Sequence, residues 1–133
     1  MGTSIQANKK TLYGILSGII VYAVVGLSGL YLLRICWTDY AIAARDKSYT
    51  VGMLLSRLLV GLLASVLAGI VATKVADEKA DTAWRVGAIV FCVAAYIHFL
   101  RVWADYPEWY HFAYLLPIIP VTGISHYLFS KRK

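Results

Sequence analysis

The residue hardest to accommodate in this sequence is Arg57, which stands inside the apolar run TVGMLLSRLLVGLLASVLAGIVAT at positions 50–73. A guanidinium carried into an apolar phase must snorkel to its edge, bond a buried acceptor, or hold an anionic ligand. Arg57 lies about seven residues into the run, roughly 10 Å from its start at helical rise. Other polar residues fall at a similar depth. His98 and Arg101 close a later apolar run, His111 opens the next, and Arg34 ends the first. Asp105 and Glu108 lie in the short connection between His98 and His111, and Asp39 and Asp46 follow the first run. Arg34, Arg57, His98, Arg101 and His111 are therefore expected to converge at one end of the molecule with carboxylates above them, provided that each faces inward. A planar guanidinium suits a carboxylate, so Asp105 or Glu108 is the expected acceptor for Arg57, with His98 close by.

Such a cluster could do several things. An ion-pair cap tying the loops down is the first reading. A site for an anionic ligand or lipid head group is the second, and a proton or ion path the third. A haem held by His98 and His111 needs two imidazoles facing each other across a cavity. No third ligand accompanies those histidines, so no metal is assigned. His126 belongs to the opposite end. No nucleophile–base constellation, phosphate loop or H-E-x-x-H run occurs, so no catalytic residue is assigned, the chain is read as a non-enzyme, and no cofactor is expected. Ser28, Ser56 and Ser65 are lone hydroxyls, expected to bond carbonyls of their own or a neighbouring helix. Cys36 and Cys92 sit in different apolar segments without a C-x-x-C pair, which excludes a disulfide framework and a thiol redox motif.

The elements that must position these side chains follow from composition. The chain has 133 residues, one domain's worth, of which 60% are apolar and 15% charged. Soluble domains average about 45–50% and about 25%. A chain this short cannot hide so much apolar surface, which excludes a soluble globular enzyme, a disordered tail and a secreted disulfide scaffold. The net charge is +6, carried at the ends of apolar runs. Anionic lipid head groups are the expected partner, not nucleic acid.

Four runs, at about 11–35, 50–73, 83–103 and 109–129, are each long enough as helix to cross the ~30 Å hydrocarbon core. Nothing alternates as barrel strands would. The first run is too long for a signal-peptide core. Trp37, Trp84, Trp103 and Trp109 mark the boundaries. Ser48 or Thr50 can cap the second helix, and Asp81 or Thr82 the third. Short loops make successive helices neighbours. The expected fold is all-α: a polytopic membrane protein with four antiparallel transmembrane helices in a single bundle. The termini and second loop carry eight Lys and Arg (Lys9, Lys10, Lys74, Lys79, Arg85, Lys131, Arg132, Lys133) against five on the other side, which puts both termini in the cytoplasm.

Helices in lipid associate through small residues. Gly61, Ser65 and Gly69 recur every four residues, with Ala64, Ala68 and Ala72 one register away, as a helix-packing or partner face. Gly14 and Gly18 in the first helix, and Ala83 and Gly87 in the third, offer further small faces. Pro117 and Pro120 are expected to kink the fourth helix and free carbonyls near Ala113 and Leu116, as a packing device or as a pocket.

From Gly61-Leu62-Leu63-Ala64-Ser65-Val66-Leu67-Ala68-Gly69 through Pro107-Glu108-Trp109-Tyr110 to Pro117, residues 50–130 resemble small uncharacterised four-helix bacterial inner-membrane proteins with a P-x-W-[FY] entry to helix four. That resemblance implies the four-span topology and a bacterial plasma membrane, and no activity. Within the motif, Trp109 and Tyr110 read as interfacial anchors. Two functional readings follow. One is a non-catalytic accessory or structural subunit of a larger membrane assembly, with other membrane subunits or copies of itself as partners. The other is a small transporter or anionic-ligand or lipid-binding protein that uses the polar cluster.

Overall fold

The computed structural model describes residues 2–130, and every element among them is helical. The order is α1 (Gly2–Cys36), α2 (Thr38–Asp46), α3 (Val51–Val75), α4 (Ala80–Leu100), a single 3-10 turn (Trp103–Asp105), α5 (Glu108–Leu115), α6 (Ile118–Ser125) and α7 (Tyr127–Ser130). Three helices, α1 over Thr3–Cys36, α3 and α4, are long and apolar enough to cross a membrane.

The packing is the reverse of a soluble domain. Ala64, Ala68, Ala72, Ala76 and Ala83 are fully buried, while Leu27, Leu59, Leu100 and Leu116 are about two-thirds exposed. Large apolar side chains left outside suit lipid, and small ones inside let backbones approach. The core is built of Ala68, Ala72, Val86, Val90, Ala94, Leu115 and Ile118, with Ile15, Ile19 and Tyr22 of α1 packed against it. A Cβ on Gly14 would come 2.6 Å from the Ala72 carbonyl oxygen, and one on Gly29 would come 2.5 Å from Val60 Cγ1. On α3, Gly61 lies against the Tyr114 ring, and a Cβ on Gly69 would collide with Ser125 and the Thr122 carbonyl. The face of Gly61, Ser65 and Gly69 is thus turned against α5 and α6, and Ser65 is buried with its hydroxyl bonded to the Gly61 carbonyl. Tight contact also strands polar atoms: the buried hydroxyls of Thr73, Thr82 and Thr122 have no partner among the described residues.

Several boundaries differ from expectation. The first helix starts at Gly2, so Lys9 and Lys10 ride on it. Lys10 bonds Asp77 in the α3–α4 turn, and Lys79 Nζ donates to the Ala7 carbonyl at 3.3 Å. Lys10 holds the Asp77 carboxyl below the usual carboxylate range through that bond. Lys131, Arg132 and Lys133, which entered the charge comparison, lie outside the described residues. Thr50 caps α3 by accepting from the Met53 N–H at 3.3 Å. For α4 the capping position is Lys79, not Asp81 or Thr82; Asp81 lies in the first turn and pairs with Arg85 at 3.2 Å. The first loop contains a nine-residue helix, α2, whose Tyr40, Ala43 and Ala44 pack on Met53.

The fourth run is three helices in place of one. Pro117 supplies no N–H, so the ladder that ends with Leu116 N–H on the Phe112 carbonyl stops there, and α6 begins afterwards. Pro120 falls inside α6 without ending it. Behind the break only about 10 Å³ is open, among Gly61, Ser65, Ala113 and Pro117. That is about the room one water needs.

Gly69→Ala is expected to lower stability by about 1–3 kcal/mol, the range for overpacking. Gly26→Ala, whose new methyl meets nothing within 4 Å, should change it little. Thermal unfolding of the two variants in one detergent checks this; equal midpoints would mean that α3 and α6 do not meet at Gly69.

Candidate functional site

Arg57 is satisfied by tyrosines. Its Nε donates to the Tyr110 hydroxyl at 3.0 Å and its Nη1 to the Tyr40 hydroxyl at 2.7 Å. The guanidinium carbon lies 5.0 Å from the Tyr106 ring centre and 5.5 Å from that of Tyr49, within cation–π range. Tyr49 stacks on Tyr106 at 5.3 Å, and Tyr106 meets Tyr110 at 4.8 Å. Four segments contribute one ring each: α2, the α2–α3 connection, the residue after the 3-10 turn, and α5. Tyr40 and Tyr110 are buried.

This corrects the expected carboxylate partner. Asp105 faces Lys47, its Oδ2 3.7 Å from Nζ, and Glu108 is exposed. Among the described residues no carboxylate is within ion-pair distance of Arg57. The 3-10 turn is the reason: it brings the rings of Trp103 and Tyr106 onto their neighbours and leaves Asp105 beside α2. Phenols accept hydrogen bonds without carrying charge. Burial raises the Tyr106 phenol above its ordinary range, so it stays neutral beside the cation. The charge of Arg57 therefore has hydrogen-bond acceptors and no counter-ion. Arg101, expected in the cluster, is exposed and outside it.

His98 and His111 do come together. Their Nδ1 atoms are 2.8 Å apart, with both rings buried. His111 Nε2 lies 3.0 Å from the Trp103 carbonyl, which can only accept, so that nitrogen carries a proton. Between the two Nδ1 atoms one ring donates and the other accepts, according to the tautomers. Trp103 stacks on His111 at 4.4 Å and Tyr114 on His98 at 4.8 Å. Tyr114 continues the chain: its hydroxyl is 2.7 Å from that of Tyr22 on α1. The imidazoles are in direct contact, edge to face, with ring centres 5.0 Å apart. No group of three His, Cys, Asp or Glu is placed to hold a metal among the described residues. His126 sits at the other end, its Nδ1 2.8 Å from the Gly123 carbonyl.

Beside Arg57 opens a chamber of about 350 Å³ between α1 and the cover formed by α2 and Tyr106. Arg34, Lys47 and Arg57 line it with Tyr31, Tyr40 and Tyr49. No acidic residue is among its walls. Arg34, read from the sequence only by depth, shares the chamber with Arg57. The tyrosines were the residues missed. Tyr110 in particular is no interfacial anchor, being buried against Arg57, whereas its neighbour Trp109 is exposed. The available signal was the ten tyrosines in this short chain, several within reach of the same end as Arg57.

No protein-family model matches the sequence, no curated protein matches it, and no solved structure matches the fold.

Removing either hydroxyl acceptor should leave a charged donor unpaired. Tyr40→Phe and Tyr110→Phe are each expected to cost about 1.5–3 kcal/mol. Asp105→Asn should cost less than about 1 kcal/mol, as a half-exposed surface pair does, and Glu108→Gln should be neutral. Chemical unfolding in detergent measures all four. A carboxylate variant as costly as Tyr110→Phe would restore the ion-pair cap.

Proposed function

We propose that the chain is a four-span membrane protein whose chamber beside Arg57 binds an anionic group, with no catalytic role assigned. The observation that carries this is the unbalanced charge of the chamber. Arg34, Lys47 and Arg57 line it, no carboxylate lines it among the described residues, and of the three cations Lys47 has an ion-pair partner, Asp105 at 3.7 Å. A guanidinium in partly desolvated surroundings gains most from a counter-ion, and Arg57 has unused N–H groups with which to bond one.

The four-span topology is supported by register. Along α4, His98 meets His111, Gly87 meets Ile119 and Thr122, and Trp84 meets Gly123, so α5 and α6 retrace α4 towards its start. Residues 108–130 would span roughly 30 Å even with the break at Pro117. With α1 retraced by α3 in the same manner, four antiparallel spans put both termini on one side, the cytoplasmic one by the charge argument. The resemblance of residues 50–130 to small bacterial inner-membrane proteins favours a bacterial plasma membrane. The chamber then faces the outer leaflet. A subunit role in a larger assembly drew on spare small-residue faces; Gly61 and Gly69 are turned against α5 and α6, which weakens that support.

In a background of Cys36→Ser and Cys92→Ser, single cysteines at Thr3 and Ala104 should label from opposite sides of the membrane. Labelling from one side would mean that α1, α3 and α4 do not all cross, which would overturn the topology.

The binding reading is tested in nanodiscs by native mass spectrometry. A phosphate-headed lipid should be retained over a phosphocholine lipid of the same chains. Arg57→Gln, and separately Arg34→Gln at an exposed side chain that holds no tyrosine, should each reduce the preference about tenfold, the worth of one charge-assisted bond. Equal retention of both lipids by the unaltered protein would overturn the reading.

A further inference from the structure

Two further spaces lie along α1 from the chamber beside Arg57. Arg57 and Leu30 also line a neck of about 70 Å³ with Gly26, Val60, Gly61 and His98. His98 and Tyr114, on the wall of that neck, also line a crevice of about 250 Å³ between α1 and α4. The crevice is apolar: Ile19, Ala23, Val90, Val93, Ala94 and Ile97 form most of its wall. Its polar groups, His98 and the bonded hydroxyls of Tyr22 and Tyr114, lie towards the neck. Val93 and Ile97 are also exposed on the outside of α4, so the crevice opens sideways.

The three spaces follow one stripe of α1. Ile19 and Ala23 border the crevice, Gly26 the neck, Leu30 the neck and the chamber, and Arg34 the chamber. Their spacing of three and four residues puts them on one helical face. From Ile19 to Arg34 is roughly 22 Å along the helix, against the ~15 Å of one leaflet of hydrocarbon. Gly26 marks the neck, where a Cβ would meet nothing within 4 Å. The row is thus cationic at one end, apolar at the other, and about one acyl chain long.

The geometry points to an amphiphile as the ligand: a membrane lipid with a phosphate-type anionic head at Arg34, Lys47 and Arg57, and one acyl chain threaded past Gly26 into the crevice between α1 and α4. This rests on the anion-binding reading and adds the tail. A free phosphate would use the chamber and leave the crevice idle. A neutral lipid would fill the crevice and leave the cations without a counter-ion. Only a molecule with both parts matches both ends of the row.

The test uses the full chain in nanodiscs doped with a phosphate-headed lipid that carries a diazirine near the end of one chain. Cross-linked residues are mapped by mass spectrometry, with head-group preference measured alongside. The expected result is labelling concentrated at Val93, Ala94 and Ile97, falling about tenfold in Arg57→Gln and with the phosphocholine analogue. In Gly26→Phe, which fills the neck without a clash at its Cβ, labelling should leave the crevice while phosphate preference stays and the unfolding midpoint matches the parent. Retained phosphate preference with labels spread over exposed positions such as Leu55, Leu59 and Leu63 would overturn the tail assignment and leave the head site standing. Loss of phosphate preference in the unaltered protein would overturn both. Glycerol phosphate displacing the labelled lipid at equal concentration would identify a free anion as the ligand and overturn the amphiphile.

Discussion

A guanidinium carried inward on a helix must be satisfied where it stands, and that requirement organises one end of this protein. Arg57 cannot move without unwinding α3, so acceptors have to come to it. Tyr40 comes on α2, which is why the first connection folds back as a helix and buries Tyr40 with Ala43 and Ala44 on Met53. Tyr110 comes on α5, whose start is set by the 3-10 turn and Pro107. Tyr49 and Tyr106 close the remaining sides with their rings, where a carboxylate would have brought charge. Choosing phenols over a carboxylate has an electrostatic consequence: geometry is fixed and the positive charge is left available.

The other end is organised by the opposite means. There the helices touch through glycine and alanine, and the polar bonds include the surface pairs of Lys10 with Asp77 and Arg85 with Asp81 and the bond of Lys79 to the Ala7 carbonyl. A Cβ on Gly18 would lie 2.9 Å from both the Ala72 methyl and Val86, so α1, α3 and α4 meet there at backbone distance. Larger side chains enter towards Arg57: Tyr22, Tyr114, His98 and Leu30 hold α1 away from α4 and α5. The cavities exist because the contact residues grow from glycine to tyrosine along the same helices.

How much of this the sequence disclosed follows from which signals are local. Long apolar runs disclosed α1, α3 and α4, because span length is a property of the segment itself. The Pro117 break was legible for the same reason, as was the small-residue face on α3. The fourth run was read as one kinked helix, and the kink at Pro117 is a full break between α5 and α6. The nine residues of α2 went unnoticed because Thr38-Asp39-Tyr40 reads as an interfacial loop until Tyr40 has something to bond. At the site, Arg34 and Arg57 line one chamber, and His98 lies between Arg57 and His111. Depth misplaced Arg101, Asp105 and Glu108 because it says nothing about direction around the axis. The preference for a carboxylate over a phenol is a pairwise rule, and it failed where four rings could enclose the cation together.

The distribution of the cavities also bears on the choice between holding a ligand and moving one. A transport path needs access from both sides in turn, through an element with two arrangements. The row of spaces begins at Arg34 and stops near Ile19. Beyond that level, Gly14 and Gly18 lie against the backbone and methyl groups of Ala68, Ala72 and Ala76, with Thr82 and Val86 packed beside them. Opening that end would require whole helices to separate along their closest contacts. The open end, in contrast, is fixed by Arg57 and its tyrosines, each held by two or more partners. Both ends resist rearrangement, one by steric closure and one by bonding. A charged opening at one end and an apolar crevice open sideways between α1 and α4 at the other suit the proposed amphiphile, drawn from one leaflet, better than a path through the membrane.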